Sequence, residues 1–227
     1  MMTIEQFKIQ FKKIKAQGFI KSTRNGPTGI GHTLETYLGI TENNYAEPDI
    51  EGAELKAHRN GGNNLITLFT FNNKAWKMPP LDAVKKYGSF DKNGRKGLYY
   101  TMSLKPNSAG LFLTVNDTEI AVRHISGEII AVWRLQNLVE RFTQKIPALI
   151  FVQAETEERD GVEYFHFCRA RLMKGTNSSL LKSQFLEEKI LVDLRLHDKG
   201  TMARNHGTGF RTYENNLPSL FLDVKDI

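Results

Sequence analysis

A group of acidic and basic residues occupies the stretch Pro48-Asp49-Ile50-Glu51-Gly52-Ala53-Glu54-Leu55-Lys56. In an extended strand successive side chains point to opposite faces, so Glu54 and Lys56 are expected to project together. A bend at Gly52 would bring Asp49 beside Glu54. Two carboxylates and one ammonium would then surround a common point.

These residue types suit the hydrolysis of a phosphodiester. Carboxylate oxygens such as those of Asp49 and Glu54 are ligands for Mg²⁺, which binds one or two carboxylates together with waters and substrate phosphate oxygens. Asp49 and Glu54 would hold the ion, which would supply Lewis acidity and a more acidic water, and Lys56 would orient that water and stabilise the phosphoryl charge. The short pattern is not specific by itself, because Glu-x-Lys is also a common ion pair on surface strands.

Charge favours a polyanionic partner without requiring one. The chain has 31 Lys plus Arg against 25 Asp plus Glu, which gives a net charge of +6, and its pI is near 9.3. Between residues 1 and 30 the only acid is Glu5, and the bases are Lys8, Lys12, Lys13, Lys15, Lys21 and Arg24. A solvated helix face explains this run equally well.

Cysteine and histidine usage indicates the compartment and argues against zinc. The single Cys168 cannot form an intramolecular disulfide, so we expect a reducing, cytoplasmic environment. The first residues mix charges among apolar positions, so neither a signal peptide nor a membrane span is expected. None of the six histidines has the spacing of a metal ligand, so zinc is not expected.

Two kinds of hydrophobic period predict a mixed α+β fold that positions these residues. Helices are predicted at 3–17, 30–38, 135–144 and 179–188. Strands are predicted at 49–51, 53–58, 65–71, 111–115, 119–124, 128–133, 148–153, 163–172, 190–196 and 220–224. Residues 72–110 are rich in Asn, Lys, Gly and Pro, and we interpret them as an extended loop or an insertion.

A glycine-rich turn leads into the second helix. The run Gly26-Pro27-Thr28-Gly29-Ile30-Gly31 is not followed by Gly-Lys-Ser/Thr, so a P-loop is not predicted. A helix start offers backbone N–H groups to a DNA phosphate, and Ser22, Arg24 and Thr28 are candidates for further DNA contacts. The alternative is that these three are only turn and cap residues.

A second polar group lies late in the chain. Arginine pairs with guanine through two hydrogen bonds and a carboxylate accepts from cytosine, so this group suits the reading of G·C pairs in the major groove. Its members are Asp193, Arg195, Arg204, His206 and Arg211. The alternative is that Asp193 and Arg195 form a surface ion pair.

Two separated blocks of sequence resemble the MvaI/BcnI family of type II restriction endonucleases. The first is Gly18-Phe19-Ile20-Lys21-Ser22-Thr23-Arg24-Asn25-Gly26-Pro27-Thr28-Gly29-Ile30-Gly31-His32-Thr33-Leu34-Glu35, continuing through Pro48-Asp49 to Glu54-Leu55-Lys56. The second is Asp193-Leu194-Arg195 followed by His206-Gly207-Thr208-Gly209-Phe210-Arg211. Residues 72–150 show no such match.

The resemblance implies a PD-(D/E)XK core of the restriction endonuclease type, related to MutH, with a mixed β-sheet flanked by helices and two lobes forming a DNA cleft. It implies one endonuclease unit over residues 1–227, with a catalytic lobe including about 1–71 and a recognition lobe including about 190–215. Asp49, Glu54 and Lys56 correspond to the catalytic set. Glu35 corresponds to an additional catalytic acid, unless it is an ordinary exposed helix carboxylate.

The implied activity is cleavage of double-stranded DNA by a monomer at a short specific site, of the CC-N-GG type. A cognate DNA methyltransferase that acts on the same site without binding this chain is expected beside it. One alternative is a MutH-like enzyme that nicks a single strand. Another is a DNA-binding protein whose carboxylates are only structural.

Overall fold

The structure is a computed structural model that describes residues 2–40, 50–61, 65–72 and 74–227. The helices are α1 (Ile4–Ala16), α2 (Gly29–Leu38), α3 (Pro80–Tyr87), α4 (Leu135–Lys145), α5 (Ser178–Leu186) and a 3-10 helix (Glu214–Leu220). The strands are β1 (Ile20–Lys21), β2 (Glu54–Arg59), β3 (Leu65–Thr70), β4 (Ser89–Phe90), β5 (Lys96–Met102), β6 (Leu111–Val115), β7 (Glu119–His124), β8 (Ile129–Arg134), β9 (Ala148–Arg159), β10 (Val162–Lys174), β11 (Leu191–Asp198), β12 (Ala203–Asn205), β13 (Gly209–Tyr213) and β14 (Asp223–Asp226).

The chain divides into two compact units, each built from separate stretches of sequence. Unit 1 contains Met1–Asn63, Ile146–Gly175 and Phe221–Ile227, and unit 2 contains Asn64–Lys145 and Thr176–Leu220. Among the described residues, no helix is both long and apolar enough to cross a membrane.

Unit 1 is a sheet covered by the first two helices. Its strand order is β1-β10-β9-β2, and β14 also pairs with β10. The edge strand β2 runs parallel to β9, with Leu55 opposite Ile150. Both of these side chains belong to the core of unit 1, together with Phe7 and Phe11 of α1 and Leu34 of α2.

Local signals explain where the two helices of unit 1 begin and end. Thr3 and Gln6 form a capping box at the start of α1, which satisfies backbone N–H groups that the first turn leaves free. Gly39 ends α2 in the left-handed conformation with φ +72°, which glycine adopts without a steric penalty. Both helices were predicted from the sequence and are confirmed.

Unit 2 contains two antiparallel sheets. The larger has the order β3-β13-β11-β5-β4, with β12 beside β11, and the smaller is the meander β6-β7-β8. Aromatic side chains fill its core, where the Phe210 ring stacks on Phe69 with centroids 4.8 Å apart and meets Trp133 edge to face at 5.6 Å. Such pairs stabilise beyond the area that they bury.

The mixed α+β class is confirmed, and two local predictions are corrected by the structure. Residues 72–110 are not an extended loop, because α3 buries Ala83, Val84 and Tyr87 and β5 pairs along its length with β11. The final strand predicted near 220–224 is present, but its bounds are shifted to Asp223–Asp226. Leu217 and Leu220, three residues apart, are buried on one side of the 3-10 helix, and the last strand begins only at Asp223.

Candidate active site

Glu54 and Lys56 form an ion pair on the edge strand of unit 1. The Lys56 Nζ lies 3.1 Å from the Glu54 Oε1, and the two side chains are 31% and 35% exposed. The other carboxylate oxygen, Oε2, has no hydrogen-bond partner among the residues that the structure describes. The prediction that both side chains project together is confirmed. Asp49 lies outside the described residues, so its place beside Glu54 stays a prediction.

Strand β2 and helix α2 line a cavity of about 360 Å³ in unit 1. Lys56 lines it from the strand and Glu35 from the helix. The cavity is also lined by Arg24, Pro27, Thr28, Ile30, Gly31, His32, Leu34, Leu55, Ala57 and His58. Four of the residues predicted to form the site, two catalytic and two DNA-binding, therefore share one cavity.

The segment that enters α2, here called the entry loop (residues 22–28), is shaped by local contacts. The Ser22 hydroxyl donates to the Arg24 carbonyl at 2.7 Å. This is a turn contact, which the sequence analysis gave as the alternative to a DNA contact for Ser22. Gly26 has φ +87°. Thr28 precedes α2 without a side-chain capping bond.

His32 also lines the cavity, although no catalytic role was predicted for it. Its Nδ1 lies 2.7 Å from the Thr23 Oγ1. Thr23 is itself held by Thr33, whose hydroxyl accepts the Thr23 N–H at 3.0 Å and donates to the Gly29 carbonyl at 2.7 Å. The three-residue spacing of His32 and Glu35 places both on one helix face and is the signal that could have grouped them.

In unit 2, Asp193 forms an ion pair with Arg211 and not with Arg195. The Arg211 Nη1 donates to the Asp193 Oδ2 at 3.0 Å, and the Thr101 hydroxyl donates to Oδ1 at 3.0 Å. Asp193 is only 8% exposed, and Arg211 also donates to the Leu65 carbonyl at 2.9 Å. The alternative of an Asp193–Arg195 ion pair is therefore wrong.

The other predicted recognition residues lie around β11 and β12. Arg195 is half-buried, and its carbonyl accepts the His206 N–H at 2.9 Å. The His206 Nε2 lies 3.2 Å from the Nδ1 of His197, to which the Tyr99 hydroxyl is bonded at 2.9 Å. Arg204 is exposed.

The charges around His197 affect its protonation. Burial of the ring lowers the pKa of His197 below its ordinary value, since a charged imidazole is disfavoured away from water. The neighbouring positive groups lower the pKa further, and they are Arg95, Lys199, His206 and Arg204.

The predicted residues thus fall into two groups. Unit 1 holds Glu35, Glu54, Lys56, Ser22, Arg24 and Thr28, and unit 2 holds Asp193, Arg195, Arg204, His206 and Arg211. Within the described residues, no group of three or more His, Cys, Asp or Glu side chains is arranged to hold a metal ion.

The fold is that of a restriction endonuclease. The chain is similar to the solved structure of the complex of restriction endonuclease MvaI with its cognate DNA substrate, with a TM-score of 0.75, 23% identity and coverage of 98% of this chain and 97% of that chain. It is also similar to MvaI in the absence of DNA, with a TM-score of 0.63, 20% identity and coverage of 99% and 97%. No curated protein sequence matches the chain.

The sequence also matches the family model of the MvaI/BcnI restriction endonucleases over residues 9–221. The chain belongs to the MvaI/BcnI restriction endonuclease family. The resemblance seen in the two sequence blocks is thereby confirmed, and with it the class of DNA nuclease.

Proposed function

We propose that this chain is a monomeric, cytoplasmic type II restriction endonuclease that cuts double-stranded DNA at a short specific site, of the CC-N-GG type, with Mg²⁺ as cofactor. The observation that carries the proposal is the Glu54–Lys56 ion pair beside the cavity that Lys56 lines with Glu35. Family membership supports DNA as the substrate. The similar structure of MvaI is a complex with its cognate DNA substrate.

The donor chemistry of the site fits Mg²⁺. Glu54 offers the oxygen Oε2, which has no partner among the described residues, and Glu35 offers a second carboxylate at the cavity. Asp49 and Glu54 are the proposed ligands, and Mg²⁺ needs only one or two carboxylates in addition to waters and phosphate oxygens. When bound, the ion supplies Lewis acidity and a more acidic water.

Lys56 is proposed to hold the attacking water and to stabilise the charge that develops on the phosphate. Its ammonium has three donors, and the Glu54 carboxylate takes up one of them at 3.1 Å. The same contact keeps the ammonium close to the proposed metal ligand. A compact charge on a flexible stem suits this task, because the phosphate oxygens move during the reaction.

The two units are proposed to have separate functions, DNA cleavage and DNA recognition, as in a PD-(D/E)XK enzyme of the MutH-like type. Unit 1 carries the cutting residues, and the entry loop adds Ser22, Arg24 and Thr28 as phosphate contacts. Unit 2 carries the residues that read the bases. Arg195 has no side-chain hydrogen bond among the described residues, so its guanidinium is available for a guanine.

Cleavage of plasmid DNA tests the proposal through Lys56→Ala. We expect discrete fragments from the wild-type protein with Mg²⁺ and none with EDTA. The variant should lose about 100-fold or more in cleavage rate, the effect of removing one charge-stabilising donor. DNA binding, measured by gel shift in EDTA, should be retained.

The chain offers a matched control in Lys189→Ala. Lys189 forms a second Glu-x-Lys pair with Glu187, at 2.6 Å, in unit 2. This variant should cut like the wild-type protein. Nicked circles as the only product would support the MutH-like alternative, and cleavage that survives Lys56→Ala would contradict the assigned site.

A further inference from the structure

The Arg59 guanidinium joins three parts of unit 1. Arg59 ends the strand that carries Glu54 and Lys56, and its Nε and Nη2 donate to the two carboxylate oxygens of Glu163 on β10 at 2.6 and 2.7 Å. The remaining contacts go to the entry loop, where Nη1 donates to the Pro27 carbonyl and Nη2 to the Gly26 carbonyl, each at 3.2 Å.

Glu163 holds the other end of the same loop. Its backbone carbonyl accepts the Ser22 N–H at 2.9 Å, while its carboxylate fixes the guanidinium that binds Gly26 and Pro27. The entry loop is therefore fastened at Ser22 by the backbone of Glu163 and at Gly26–Pro27 by the side chain of Arg59.

Only arginine can make this set of contacts. The planar guanidinium presents donors in a fixed fork that matches a carboxylate and still has N–H groups for two carbonyls, whereas lysine presents one compact charge. The Arg59 and Glu163 side chains are 28% and 31% exposed, and the guanidinium lies 5.3 Å from the centre of the Phe165 ring. Partial burial shields the pair from the screening that weakens exposed ion pairs.

We propose that Arg59 and Glu163 are positioning residues that hold the entry loop in place for DNA. The proposal rests on the proposed function, because Arg24 and Thr28 of this loop line the cavity with Lys56. One guanidinium thus links the strand that cuts to the loop that binds phosphate. Neither Arg59 nor Glu163 needs to touch DNA for this effect.

An arginine–carboxylate pair elsewhere in unit 1 provides the control. Arg169 on β10 donates from Nε and Nη2 to the two carboxylate oxygens of Asp226 at 2.7 and 3.0 Å. These side chains are 53% and 64% exposed, and no contact of Arg169 with the entry loop exists among the described residues. Arg169→Lys therefore removes a similar fork without disturbing the loop.

The test compares steady-state cleavage and DNA affinity for Arg59→Lys, Glu163→Gln and Arg169→Lys. A displacement of about 1 Å in a positioned group can cost about 100-fold in rate. We expect KM and the DNA Kd to rise about tenfold in Arg59→Lys and in Glu163→Gln. The change in kcat should be smaller. Arg169→Lys should match the wild-type protein. Thermal melting identifies any variant that fails to fold. If Arg59→Lys fails to fold, the KM and Kd of Glu163→Gln decide the test.

The outcomes separate this proposal from the proposed function. Wild-type KM and Kd in folded Arg59→Lys and Glu163→Gln would overturn the positioning role, as would an equal loss in Arg169→Lys. A wild-type protein that binds DNA without cutting it contradicts the proposed function, and the Kd comparison still decides on positioning. A wild-type protein that neither cuts nor binds DNA overturns both.

Discussion

At the scale of single residues, His197 has a buried ring among positive charges. The residue is 2% exposed, and its Nδ1 is bonded to the Tyr99 hydroxyl. Since burial lowers the pKa of His197, the folded protein binds fewer protons at this site than the unfolded chain does. Its contribution to stability is therefore lost as the pH falls through the ordinary histidine pKa of about 6.5.

This sign gives a testable pH dependence. We expect the melting temperature of the wild-type protein to fall between about pH 7.5 and about pH 5.5, and to fall less in His197→Asn, which cannot take up the proton. His124→Asn is the control, because His124 is not among the groups that lower the pKa of His197. An equal fall in wild-type protein and His197→Asn would show that burial of His197 does not set the acid sensitivity.

At the scale of elements, the start of α2 depends on a close backbone approach at Gly29. A Cβ at this position would lie 2.2 Å from the carbonyl oxygen of Arg24 and 3.0 Å from the Ser22 Oγ. Any side chain there must therefore displace the backbone of the entry loop. Gly31 lies two residues after Gly29 in the same helix. A Cβ added there would have no atom within 4 Å.

The two glycines predict opposite effects. Gly29→Ala should lower the free energy of unfolding by about 1 to 3 kcal/mol, as overpacking does, and should weaken DNA binding by moving Arg24. Gly31→Ala should raise the free energy of unfolding by up to about 1 kcal/mol, because alanine favours a helix more than glycine does. Urea denaturation measures both. A neutral Gly29→Ala would argue against a tightly packed entry loop.

At the scale of the whole molecule, the net charge of +6 favours association with DNA through its phosphates. Each phosphate that a cation neutralises contributes about −0.9 to the slope of log K against log salt concentration. Arg24→Gln should therefore make this slope shallower by about 0.9, without changing the preferred site. Fluorescence anisotropy across a salt series measures the slope. Arg169→Gln removes a cation that is paired with Asp226, and it should leave the slope unchanged. An unchanged slope in Arg24→Gln would show that Arg24 does not contact a phosphate.

The sequence by itself determined the features that depend on neighbours along the chain. Helices α1 and α2 follow from apolar spacing, a capping residue and a terminal glycine. The common direction of Glu54 and Lys56 follows from the two-residue period of a strand. The family resemblance came from two short blocks of sequence, within residues 18–56 and 193–211. The match over residues 9–221 confirms it. Asp49 stays a prediction from sequence alone.

Only the tertiary structure decided the contacts between distant residues. Strand β5 forms where 72–110 showed no clear period because β11, about ninety residues later, supplies its hydrogen-bond partners. Asp193 pairs with Arg211 instead of the nearer Arg195 because β13 lies beside β11. Arg59 meets Glu163 across 104 positions of sequence. Local periodicity fixes which face a side chain occupies, but strand pairing and packing choose which distant group it meets.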